Sequence, residues 1–139
     1  MISKTIQEIN VGDQASFQKT LTETDVYLYA GISGDINPAH INEEAMKDTF
    51  FKGRIVHGML TAGLISAVLG NQLPGAGTIY LGQELKFLAP VRFNDTIKAT
   101  VTVIEKNEEK NRLILETVCT NQEGITVLSG QATVMPPRA

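Results

Sequence analysis

The sequence predicts an α+β fold in which an antiparallel sheet wraps around one long central helix. Three observations predict it. Residues 56–69 are apolar apart from His57, Thr61 and Ser66, and carry the small residues Gly58, Ala62, Gly63 and Ala67. A helix that is apolar on all sides is buried on all sides. The chain beyond residue 78 holds four stretches that alternate or are rich in β-branched residues, as strands are. The helical signals lie together between a first strand and those four, which is an α+β order and not a repeating βαβ order.

Each element has its own signal. Val11-Gly12-Asp13 reads as a turn, and residues 14–21 alternate roughly, as a first strand does. Thr22 or Thr24 can cap a helix whose first turn carries Glu23 and Asp25, where acidic groups suit the helix dipole. Val26, Tyr29, Ala30 and Ser33 recur at helical spacing, and Gly34 is a natural stop. Residues 42–48 read as a short helix capped by Asn42, with Glu43 and Glu44 in its first turn. Residues 49–54 form a loop with two exposed cations, Lys52 and Arg54, and the pair Phe50-Phe51. The buried helix follows, with Gly58 and Gly63 allowing close approach by neighbouring backbone. Gly70-Asn71 ends it. Strands are expected over 78–88, 96–106, 112–120 and 125–134, with turns at Asn94-Asp95, 108–111 and 121–124.

Bulk composition narrows the function. The 139 residues suffice for one domain, 1–139, with a core of its own. A net charge of −3 excludes a nucleic-acid binder that works through general positive charge. No apolar run reaches membrane-spanning length, and residues 1–10 lack the basic start and apolar block of a secretory signal. A cytoplasmic location is expected. Cys119 is the single cysteine, so no intrachain disulfide forms, and its apolar strand context makes it an inert buried thiol. No second Cys or His stands at ligand spacing, so no metal is expected.

The most informative stretch is Gly34-Asp35-Ile36-Asn37-Pro38-Ala39-His40. Asp35 and His40 are five residues apart, an offset that would turn them away from each other on a continuous helix. Asn37-Pro38 interrupts the helix, because the residue before proline is pushed out of helical space. The chain bends, and a bend can aim a carboxylate and an imidazole at one water molecule, an acid–base device. The competing reading makes Asp35 a turn residue and His40 an ordinary loop residue.

The run Tyr29-Ala30-Gly31-Ile32-Ser33-Gly34-Asp35-Ile36-Asn37-Pro38-Ala39-His40 resembles the hydratase-2 motif of the MaoC-like (R)-specific enoyl-CoA hydratases. Ile55-Val56-His57-Gly58-Met59 and Tyr80-Leu81-Gly82-Gln83-Glu84-Leu85-Lys86-Phe87-Leu88-Ala89-Pro90-Val91 resemble two further blocks of that family, in the same order. One departure stands out: Asn94 precedes Asp95 where the family usually has glycine. Asn is the best substitute for glycine in a left-handed turn.

The resemblance implies a hot-dog fold and reversible addition of water to a trans-2-enoyl thioester, giving the (R)-3-hydroxyacyl thioester. It assigns water activation to Asp35 and His40, with Asp35 as the main base. Gly58 is the candidate amide donor to the thioester oxygen, at the unsatisfied end of the buried helix. Asn37, His57 and Ser66 are candidates for site support, although a packed histidine and a back-bonded serine are the competing readings. Met59 and Leu69 are candidates for the acyl channel. Lys52, Arg54 and Arg92 are candidates for contact with coenzyme A phosphates. No cofactor is expected, since coenzyme A is part of the substrate. The family also implies a homodimer or a larger assembly. The rivals are a 3-hydroxyacyl-carrier-protein dehydratase, a hot-dog acyl-CoA thioesterase and a non-catalytic acyl-CoA-binding protein. The last would have no need for Asp35 beside His40.

Overall fold

The computed structural model describes residues 1–139. Five strands form one antiparallel sheet in the order β1-β3-β4-β5-β2, with β1 Gln14–Thr20, β2 Ile79–Phe87, β3 Thr96–Asn107, β4 Arg112–Thr120 and β5 Thr126–Met135. The inner face is legible from alternation. Ile97, Ala99, Val101 and Val103 of β3 and Leu113, Leu115 and Cys119 of β4 are buried, while their neighbours face outward. Burial pushes the Cys119 thiol up to about 12, so it stays protonated and unreactive.

Four helices lie between β1 and β2. They are α1 Glu23–Ser33, α2 Pro38–Ile41, α3 Glu43–Met46 and α4 Gly58–Asn71. α4 packs on β3, β1 and β4 through Thr61, Ala62, Leu64, Ile65, Val68 and Leu69. Its glycines and β-branched residues are poor helix formers, each costing up to about 1 kcal/mol. Each fully buried Ile, Val or Leu contributes about 1.5–3 kcal/mol. Tertiary packing therefore holds this helix together, not propensity.

The helix is not buried on all sides. Met59, Gly63, Ser66 and Gly70 form an exposed stripe opposite the sheet. The expectation failed because apolar and small residues also suit a face with nothing packed on it within one chain. Gly63 has no neighbour near the place of a Cβ, so it makes no close approach. The helix also begins at Gly58 and not at residue 56. The Val56 amide donates to the Val91 carbonyl at 2.8 Å, and the Ile55 amide to the Ala39 carbonyl at 3.0 Å. These bonds to distant segments keep residues 55 and 56 extended. None of the helices is long and apolar enough to cross a membrane.

Candidate active site

α1 delivers the first element of the site. Thr22 accepts from the Asp25 amide at 3.2 Å, and the Asp25 carboxylate accepts from the Thr22 amide at 2.9 Å, a reciprocal cap. At the other end Gly34 takes a left-handed conformation, φ 81°, and turns the chain out of the helix. The bend that follows is built from side chains reaching their own backbone. The Asp35 amide donates to Ser33 Oγ, the Asn37 amide to Asp35 Oδ1 and the Ala39 amide to Asn37 Oδ1.

Pro38 then opens a second, one-turn helix, with Asn37 as its cap and proline at a first-turn position where no N–H is needed. His40 lies on this helix, α2, and not in a loop. Asn37-Pro38 follows the end of one helix, as expected, and also starts the next. Asn37 therefore acts on the backbone of the bend.

His40 is buried, with 8% exposure, and its Nδ1 lies 2.8 Å from the Ile55 carbonyl. A carbonyl only accepts, so Nδ1 carries a proton, and in the neutral ring Nε2 keeps its lone pair. His57, the residue before α4, is buried to 1% exposure. Its Nε2–H donates to the Asp35 carbonyl at 2.9 Å. Its ring stacks on His40 with centroids 3.8 Å apart and makes a T-shaped contact with the Tyr29 ring, centroids 4.8 Å apart.

Asp35, His40 and His57 each bring a donor atom within 4.8 Å of the others. By residue type the trio is a metal-ligand set, which the spacing of His57 from Asp35 and His40 along the chain does not reveal. An imidazole holds a metal ion in its own ring plane at about 2.1 Å. Two stacked planes 26° apart share no point so near both nitrogens. The arrangement fits proton transfer better than a shared cation.

Asp35 is exposed at the mouth of a cavity of about 520 Å³. His57, Gly58, Met59 and Thr61 line it from the α4 side, and Phe87, Leu88 and Pro90 from the β2 side. Phe50 and Phe51 join them from the loop after α3. The Gly58 amide sits at the first position of α4, where no intrahelical partner exists. No loop or cap hydrogen bond engages it either. The Phe87 ring packs where a Gly58 side chain would be, with Cε1 2.7 Å from the position of a Cβ.

Several expected residues are elsewhere. Leu69 is 1% exposed in the core on the sheet side of α4, away from the cavity. Helix periodicity could not separate these two apolar faces. Ser66 is on the exposed stripe of α4 and does not line the cavity. Arg54 is not a free cation. It pairs with Glu23 at 3.0 Å and Glu43 at 3.2 Å, donates to the Tyr27 hydroxyl and lies 4.7 Å over the Phe93 ring. Burial works to lower its affinity for a proton, but the bonds to Glu23, Tyr27 and Glu43 outweigh it and raise it. Glu23 is held below the usual carboxylate range by Tyr27 and by Arg54. Lys52 is exposed and Arg92 half-buried; each directly follows a cavity-lining residue, Phe51 and Val91. Phe50, Phe51, Phe87 and Tyr29 were not among the residues expected at the site. Two adjacent aromatics in a loop were the available signal.

The sequence profile of the MaoC-like domain matches residues 7–124. The chain belongs to the MaoC-like domain family. It is 54% identical over 131 residues to an (R)-specific enoyl-CoA hydratase of Rhodospirillum rubrum, covering 94% of this chain and 90% of that protein. The unliganded R-hydratase of Pseudomonas aeruginosa superposes with a TM-score of 0.93 at 42% identity, covering 99% of this chain and 88% of that one. The (R)-hydratase of Aeromonas caviae superposes with a TM-score of 0.91 at 40% identity, covering 94% and 99%. The fold is thus the hot-dog fold of these hydratases, as the sequence implied.

Proposed function

We propose that this MaoC-like protein is an (R)-specific enoyl-CoA hydratase, which adds water reversibly to a trans-2-enoyl-CoA and yields the (R)-3-hydroxyacyl-CoA. The observation that carries the reading is the approach of Asp35 and His40 to within 4.8 Å of each other, with Asp35, His57 and Gly58, whose helix-end amide is free, lining an apolar cavity and His40 stacked behind His57. The 54% identical relative supports the same substrate class.

Water is a weak nucleophile and must lose a proton as its oxygen bonds to C3. Asp35 and His40 Nε2 are the acceptors for that proton. As the C–O bond forms, the electrons of the double bond move onto the thioester oxygen. The Gly58 N–H, at the positive end of α4, offers a hydrogen bond to that oxygen. The protonated pair then returns a proton to C2, so the atoms balance and no cofactor is needed. In this reading Lys52 and Arg92, each next to a cavity-lining residue, meet the coenzyme A phosphates. Met59 and the cavity phenylalanines hold the acyl chain.

A second copy of the chain completes the protein in this reading. β2 is an edge strand paired only with β5, yet Ile79, Leu81, Phe87 and Leu88 are exposed on and beside it. An apolar edge strand is a template for pairing. A dimer mass in sedimentation is expected, and a monomer at micromolar concentration would refute this part.

Crotonyl-CoA tests the chemistry. Loss of enoyl absorbance with an (R) product is expected, and Asp35→Asn should slow it by about 10²–10⁴. His40→Ala should do similar damage, and the double variant little more. An (S) product, release of free coenzyme A, or binding without turnover would each overturn the assignment. Turnover only on a carrier-protein thioester would replace coenzyme A with that carrier.

A further inference from the structure

We propose that His57 is a positioning residue for both halves of the acid–base pair, through its Nε2–H and through its ring face. The inference rests on the hydratase reading and deepens it. Three observations meet at this side chain. Its Nε2–H donates to the backbone carbonyl of Asp35 at 2.9 Å, which ties the bend after α1 to the start of α4. Its ring stacks on a face of His40 with centroids 3.8 Å apart, while the Ile55 carbonyl holds the His40 edge through Nδ1. It directly precedes Gly58, whose amide heads α4. One buried ring thus touches the carrier of the carboxylate, the other imidazole and the segment that presents the amide.

The other ring nitrogen makes the case sharper. A carbonyl cannot donate, so Nε2 bears the proton and Nδ1 is a bare lone pair. That Nδ1 is buried and has no hydrogen-bond partner. An unpaired buried acceptor costs stability. A phenylalanine would fill the slot and stack on His40 without that cost. Histidine is therefore worth its penalty only if the Nε2–H bond to Asp35 is needed. The bond acts on the backbone and not on the carboxylate, so His57 orients the base and does not exchange protons with substrate.

Two variants separate the contacts. His57→Gln keeps an N–H donor of similar reach and loses the ring. His57→Phe keeps the ring and loses the donor. With crotonyl-CoA, kcat is expected to fall about 10²-fold in His57→Phe, the cost of a misplacement near 1 Å. KM should change less than about threefold, because the cavity walls remain. His57→Gln should recover part of the lost kcat. On the unaltered protein, nitrogen NMR of the imidazoles should show His57 with the proton on Nε2. Full kcat in His57→Phe, a loss carried by KM alone, or a proton on Nδ1 would each overturn the proposal. If the unaltered protein does not hydrate crotonyl-CoA at all, the hydratase reading fails. The NMR result and the amide exchange of residues 35–37 in His57→Phe then still decide whether His57 orders the bend.

Discussion

Gly58→Ala separates stability from catalysis at this site. A methyl group there would lie 2.7 Å from Phe87 Cε1 and 2.9 Å from Cδ1. Ordinary carbon contacts begin at about 3.5 Å, so the ring must retreat by roughly 1 Å. Phe87 is 54% exposed on an edge strand and has room to swing outward. The strained rotamer costs about 0.5–1.5 kcal/mol. Alanine in place of glycine returns about 0.5–1 kcal/mol in a helix. The two nearly cancel, so the melting temperature should move by no more than about 4 °C. Activity should not cancel. In the proposed mechanism the thioester approaches the Gly58 amide where the added methyl and the displaced ring would lie. Hydration of crotonyl-CoA should lose about 10²-fold in kcat/KM, as expected when a reacting group is shifted by 1 Å. Spectrophotometric turnover beside thermal unfolding reads both quantities. Activity within about threefold of the parent would refute the placement of the thioester at Gly58. Adding Phe87→Ala tells ring from methyl: recovery points to the ring, and continued loss to the methyl itself.

Two further outcomes follow from the same geometry. Arg54→Gln should cost about 1–2 kcal/mol, mainly from two partly exposed ion pairs and the nearer of its two cation–π contacts, that with Phe93, read by thermal unfolding. The ratio of KM for crotonyl-CoA to KM for a crotonyl thioester lacking the nucleotide should not change; a selective rise for the coenzyme A ester would restore the phosphate role. Asp25 is held below the ordinary carboxylate range first by the Thr22 amide, then by the Thr22 side chain and Lys19. A carboxyl depressed in the folded state stabilises above its unfolded value, about 3.9, and that stability is lost as pH falls through the folded value. Urea unfolding should therefore show Asp25→Asn weaker than the parent at pH 7 and closer to it at pH 3, and an equal gap at both would refute the cap's charge dependence.

Local chemistry settled much of this protein in advance. Thr22 and Gly34 bound α1 because capping and left-handed turns depend on a few neighbouring residues. β4 runs over Arg112–Thr120, as alternation indicated, because a half-buried strand writes its period into the chain. Asn94, at φ 72°, takes the left-handed turn expected of it. The Asp35–His40 bend was legible for the same reason: asparagine, proline and glycine act within a few bonds.

What only the tertiary structure decided are relations between distant segments. Arg54 looked like a surface cation because nothing local marks Glu23, Glu43 and Tyr27 as its partners. Leu69 and Met59 lie on the same apolar helix, yet one faces the sheet and the other the cavity, a choice made by what packs against each side. The stack of His57 on His40 and the bond from His57 to Asp35 join three chain segments that periodicity treats separately. Composition and spacing name the chemical groups; the burial of those groups against partners far along the chain sets their tautomers, their distances and hence what they can do.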